Sequence, residues 1–247
     1  MFYRRIIMSA ACSLAIFASV ATLSANATKT NSNDNRATAR QSERVLEPLN
    51  IAILIQDDLT SQVSNELNLT RDFISSLPKG SQVMVGYITT GTLQVRQPFT
   101  SDLNRAAQSL RIVRSSTSAA AFNPFVEVIE ALRGFDNLKG RNAILLISDG
   151  LDTSRGFDSS SSGRTMDLER AIKKAVERDV AVYTFYAPSV GLTGNSRLAA
   201  SYGQNSLNRL ADETGGRAFF QGMSGFVTFD SYFENLKQTL NQQARAS

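Results

Sequence analysis

Two runs of nearly unbroken apolar residues, NIAILI at 50–55 and NAILLIS at 142–148, constrain this chain more than any other feature. A strand that is apolar at successive positions must bury both of its faces, which requires a sheet covered on both sides. Apolar stripes at helical spacing lie between and after these runs. Val63, Leu67, Ile74 and Leu77 form the first, closed by Pro78 and Gly80. Leu103, Ala106, Ala107 and Leu110, and later Phe125, Val128, Ile129 and Leu132, match the i, i+3, i+4, i+7 pattern of core-facing helices. Residues 82–88 and 92–99 flank Gly91 and read as a hairpin whose second member, with Pro98 and alternating polar residues, belongs at an edge.

The second half continues the alternation. Leu168, Ile172, Ala175 and Val176 mark a helix, 180–187 a strand, and Leu207, Leu210 and Ala211 another helix. A short strand at 217–220 and a closing helix through Tyr232, Phe233, Leu236 and Leu240 follow. Such an order predicts an α/β fold: a doubly wound, mostly parallel, Rossmann-like sheet with one antiparallel edge strand and helices on both faces.

Not all of the 247 residues belong to that core. Residues 1–27 combine Arg4 and Arg5, an apolar run from Ile6 to Leu23, and Ala25 and Ala27 in an A-x-A pattern, which reads as a secretory signal peptide cleaved after Ala27. A retained membrane anchor is the alternative reading, weakened by the many Ala and Ser residues. Residues 28–44 are polar and without apolar period, a disordered linker; the folded domain is expected over 45–247.

Export has chemical consequences. Cys12, the single cysteine, lies inside the signal run, so the mature chain has neither disulfide nor thiol. Losing Arg4 and Arg5 lowers the net charge from +4 to +2, without the basic run that would mark a nucleic-acid surface. The chain has no histidine, which excludes Ser-His-Asp and Cys-His triads and histidine zinc sites. Carboxylate, hydroxyl, lysine and tyrosine chemistry remain.

In a doubly wound sheet, ligands bind beyond the carboxyl ends of the strands. The two most buried strands end in QDDLTS and SDGLD, which brings Asp57, Asp58, Thr60, Ser61, Asp149 and Asp152 towards one edge. With the strand order and the segment AILLISDGLD at 143–152, these residues resemble the von Willebrand factor A domain family over residues 45–241. The resemblance implies a divalent ion, Mg2+ or another cation, at a site built from D-x-S-x-S after the first strand, a threonine on a middle loop and an aspartate after the fourth.

This chain departs from that pattern. If the first strand ends at Ile55, Gln56 takes the first aspartate position, and Asp58 and Thr60 take the serine positions; Asp57 then faces away. The other register, starting at Asp57, puts Leu59 at a ligand position, where it has no donor atom. The threonine position falls near Phe122, which cannot ligate a hard cation, with Thr117 in the preceding loop as a substitute. The candidate metal set is therefore Gln56, Asp58, Thr60, Thr117 and Asp149. The alternative for Asp58, Thr60 and Ser61 is helix capping, and for Asp149-Gly150 an ordinary turn.

Two further segments lie past strand ends. Residues 155–166 are serine-rich, and 187–204 read as a long loop in which Val190, Leu192, Leu198 and Tyr202 either anchor a partner or pack back. Phe219, Phe220, Phe226, Phe229, Tyr232 and Phe233 read as core. The function expected is an exported, non-enzymatic module that binds a protein partner at the carboxyl edge, for adhesion or scaffolding, with or without a metal. A metal-dependent hydrolase using Asp58 and Asp149, or a purely structural subunit, is the alternative.

Overall fold

The computed structural model describes residues 48–59, 66–89, 91–112, 123–154, 156, 165–220 and 229–246. The segments read as signal peptide and linker lie outside these residues, as do Thr60, Ser61, Thr117, Phe122, Phe226 and most of the serine-rich insertion.

Strand β1 (Leu49–Gln56) is buried at every position and lies at the centre of the sheet. It pairs in parallel with β2 (Gln82–Thr89) on one side and β4 (Arg141–Ser148) on the other. Beyond β4 come β5 (Val180–Tyr186) and the two-residue β6 (Ala218–Phe219), both parallel. At the opposite edge β3 (Thr92–Thr100) runs antiparallel to β2. The order is β3-β2-β1-β4-β5-β6, the mostly parallel sheet with one antiparallel edge strand that the apolar pattern predicts. Pro98 explains part of β3: its register slips between the Val83–Thr100 and Val85–Gln97 pairs, the interval that holds this residue without a ladder donor.

Period-two alternation divides the core. Ile51, Ile53 and Ile55 face one side, packing with α1 (Leu67–Ser75), α2 (Leu103–Gln108) and α7 (Asp230–Ala246). Ala52 and Leu54 face the other side, under α3 (Pro124–Leu132), α4 (Met166–Glu177) and α6 (Arg197–Glu213). Polar side chains start the helices that face the site edge. The Asn123 carbonyl accepts from the N–H groups of Phe125 and Val126, Thr165 accepts from Leu168, and Ser196 from Ala199. Pro124 suits the first helical position because its missing N–H would have had no partner there.

Phe185 is the hub of the first core layer, with Phe219, Phe229, Tyr232 and Phe233 all within 5.4 Å between ring centres. Phe220 departs from the core expected of it. It follows the last strand residue and turns outward, since neighbouring strand side chains point to opposite faces.

Residues 187–204 are not the long loop expected from sequence. They contain a four-residue helix α5 (Leu192–Asn195) and the first two turns of α6, which begins at Arg197. The small residues Ala199, Ala200 and Gly203 form the buried side of those turns, so the apolar stripe there is too slight to read from hydropathy. Among the described residues, no helix is long and apolar enough to cross a membrane.

Candidate functional site at the carboxyl edge

The strand order reverses on either side of β1, the place at which doubly wound sheets bind ligands beyond the carboxyl ends of their strands. Gln56, the last residue of β1, is buried beside Ser148, the last of β4. Its Oε1 accepts the Ser148 hydroxyl at 2.5 Å and the Asp149 backbone N–H at 3.3 Å. Its Nε2 donates to Asp58 Oδ1 at 2.7 Å. One amide thus links the two strand ends and joins the Asp58 carboxylate to the Asp149 backbone.

Asp149 is only 4% exposed, and both of its oxygens accept hydrogen bonds. Oδ1 takes the Leu151 N–H at 3.1 Å and Oδ2 the Thr193 hydroxyl at 3.0 Å. Thr193 in turn accepts the Ser189 N–H at 2.8 Å, and the two hydroxyls lie 2.9 Å apart. The segment after β5 therefore closes over Asp149. A bridge between Leu59 and Ser189, with the Val190 N–H donating to the Asp58 carbonyl at 2.9 Å, ties it to the loop after β1.

The electrostatics follow from burial. Loss of hydration pushes the Asp149 carboxyl up, opposed by the Leu151 N–H and the neighbouring hydroxyls. Asp58 is pushed up to about 6, first by burial and then by the Asp149 charge, with the Gln56 amide opposing. Tyr186 is pushed up to about 12 by the same two causes.

Asp57 belongs to a different arrangement. Arg111 grips it with two nitrogens, at 3.0 and 2.8 Å, and Thr89 donates to it at 3.0 Å. The guanidinium lies 4.2 Å over the Tyr87 ring, whose hydroxyl accepts the Arg111 N–H at 2.8 Å. Asp152 also points elsewhere, accepting from Asn123 and Ser154. Of the five residues expected to face a metal, the structure brings Gln56, Asp58 and Asp149 together; Thr60 and Thr117 lie outside the described residues. Asp58 does not cap α1, which starts at Leu67 without a side-chain cap.

Ser148, Ser189 and Thr193 complete the network, and hydropathy gave no sign of them. The available signal was positional: β5 ends at the same edge as β1 and β4, so hydroxyls just after it fall near the carboxylates. Among the described residues, no group of three or more acidic side chains is arranged to hold a metal ion.

Exposed apolar side chains also occur at this edge. Eight large apolar side chains are exposed among the described residues, and six of them lie at the carboxyl edge: Ile112, Val126, Met166, Leu192, Leu198 and Phe220. Five stand at helix starts or just past a strand end and Ile112 follows α2; Met166 is 72% and Ile112 64% exposed.

No family model and no curated protein matches this sequence. Solved structures do match in shape. An aerotolerance-related membrane protein from Bacteroides fragilis superposes with a TM-score of 0.57 at 16% identity, covering 78% of this chain and 99% of that one. BatB from Bacteroides thetaiotaomicron gives 0.56 at 16% identity, covering 81% of this chain and 100% of the other. The human COPII-coat protein Sec24c gives 0.52 at 8% identity, covering 81% of this chain and 33% of the other. At such identities the likeness concerns the fold, and with the strand order above it shows that this chain has a von Willebrand factor A-like α/β fold.

Proposed function

We propose that the protein is an exported, non-enzymatic binding module that recognises a protein partner through the carboxyl edge of its sheet. The observation that supports this most directly is the concentration of exposed apolar side chains there. Scattered apolar residues are ordinary on a protein surface, but six of the eight exposed among the described residues lie at one edge, which supports a contact region there. The Asp58 and Asp149 carboxylates support a hydrolase less well, because both oxygens of Asp149 are already engaged and its side chain is buried. Export rests on the basic, apolar and small-residue pattern of residues 1–27.

The test is crosslinking in the exported fraction followed by mapping of the linked residues. Partner links cluster at the carboxyl edge, and Met166→Asp with Leu198→Asp abolishes them while leaving the circular dichroism spectrum unchanged. Links confined to the amino-terminal end of the sheet, unaffected by those substitutions, would sink the reading. Recovery of the chain solely in the cytoplasm with residues 1–27 intact would refute export.

A further inference from the structure

We infer that Gln56 stands in for the cation that the family resemblance implies, so that this centre is assembled by a neutral amide and works without a divalent ion. Hard divalent cations take oxygen ligands, and an N–H group cannot serve as one. Yet Gln56 turns an N–H towards the centre, with Nε2 2.7 Å from Asp58 Oδ1. Its partners fix that orientation. Rotating the amide by half a turn would set its NH2 against the Asp149 N–H and its carbonyl against the Asp58 carboxylate. Both contacts would be repulsive.

The rest of the described donor set agrees. Gln56 Oε1 already accepts two hydrogen bonds, from Ser148 and Asp149. The Asp149 oxygens accept from Leu151 and Thr193. An ion at this place would have to displace an amide donor and break bonds to a carboxylate that is 4% exposed. Gln56 instead does what an ion would do mechanically: it joins the loop after β1 to the turn after β4, donating to one and accepting from the other.

The inference deepens the binding reading at the same edge. A centre with an ion and an open coordination position draws an acidic partner group; this one presents no cation, which leaves the apolar rim as the contact chemistry. The inference is tested on the isolated protein, so its outcome is separate from whether a partner is found.

Purified protein is titrated with Mn2+, followed by calorimetry and by the electron paramagnetic resonance signal of free Mn2+, and melted with Mg2+ or with chelator. The wild-type chain shows no binding at millimolar Mn2+ and the same Tm in both melts. Gln56→Asp replaces the N–H donor with a carboxylate and binds Mn2+ roughly ten-fold tighter or more. Sub-millimolar Mn2+ binding by the wild type, or a Tm raised by Mg2+, overturns the inference without recourse to any variant. A folded Gln56→Asp that binds no better than the parent overturns the role given to Gln56.

Discussion

The Cα of Gly203 rests against the backbone carbonyl of Asp149: a Cβ at position 203 would lie 1.9 Å from that oxygen. The contact is mutual, since a Cβ at Gly150 would lie 2.4 Å from the Gly203 carbonyl. In an open helix Gly→Ala gains up to ~1 kcal/mol. Here the sign reverses, because α6 must back away from the turn that carries Asp149. Gly203→Ala is expected to lose about 3 kcal/mol in urea denaturation. Gly156→Ala, where nothing lies within 4 Å and only the positive φ of 79° opposes a side chain, loses about 1 kcal/mol. Equal losses at the two positions would contradict this packing.

Arg111 and Asp57 should couple strongly. Their two-nitrogen grip, with side chains 30% and 15% exposed, is better shielded than an ordinary surface pair. Arg111→Ala is expected to cost about 2 kcal/mol, and Arg111→Lys more than half of that, because lysine keeps the charge but loses the fork and the seat over Tyr87. A double-mutant cycle with Asp57→Asn by denaturant unfolding reads the coupling. A value near zero would show the pair to be incidental.

Stability should depend on pH through Asp58. Its carboxyl is pushed up to about 6 in the folded chain, above the 3.8 of the free group. Between these values the folded state holds more protons than the unfolded one, so stability falls as pH rises from about 4 to 6 and levels off above. Discounted for the side chain's remaining exposure, the change is on the order of 1 kcal/mol. Asp58→Asn should flatten this part of the profile in chemical melts at pH 5 and pH 7. An unchanged slope would place the titration on another group.

Two of the aromatic residues assigned to the core from sequence order should behave differently from one another: Phe219 packs on Phe185, whereas Phe220 turns outward. Phe185→Ala removes the ring at the centre of the cluster and is expected to cost about 4 kcal/mol. Phe220→Ala stays within about 0.5 kcal/mol, because that ring is exposed. Thermal unfolding of the pair separates the two roles, and a large loss at Phe220 would return it to the core.

How much of this was legible in the sequence depended on how each residue earns its place. The strand centres and the edge hairpin were readable because burial on two faces leaves the continuous runs 50–55 and 142–148, whereas Pro98 leaves an edge strand. The start of α6 was not readable. Ala199, Ala200 and Gly203 face the core for their small size rather than their apolarity, and close backbone approach has no periodic signature. Phe220 was misread for a related reason: a two-residue strand is too short for alternation to show which ring turns outward.

At the candidate site, the strand ends set against the pattern of the resembled family grouped Gln56, Asp58 and Asp149. The partners of Asp149 could not be found in that way, because Ser189 and Thr193 reach it through a bend after β5 that depends on Gly194. A Cβ there would lie 2.5 Å from the Ser189 carbonyl. Hydroxyls are common in loops, and only the bend distinguishes these two.

The Leu59–Ser189 bridge, reinforced by the Val190 to Asp58 hydrogen bond, joins two segments that are 130 positions apart in the chain. Neither can be exchanged for another loop on its own. A substitute for one would arrive without the backbone groups that its counterpart uses, so any redesign of this edge must transplant the β1 and β5 segments as a matched pair.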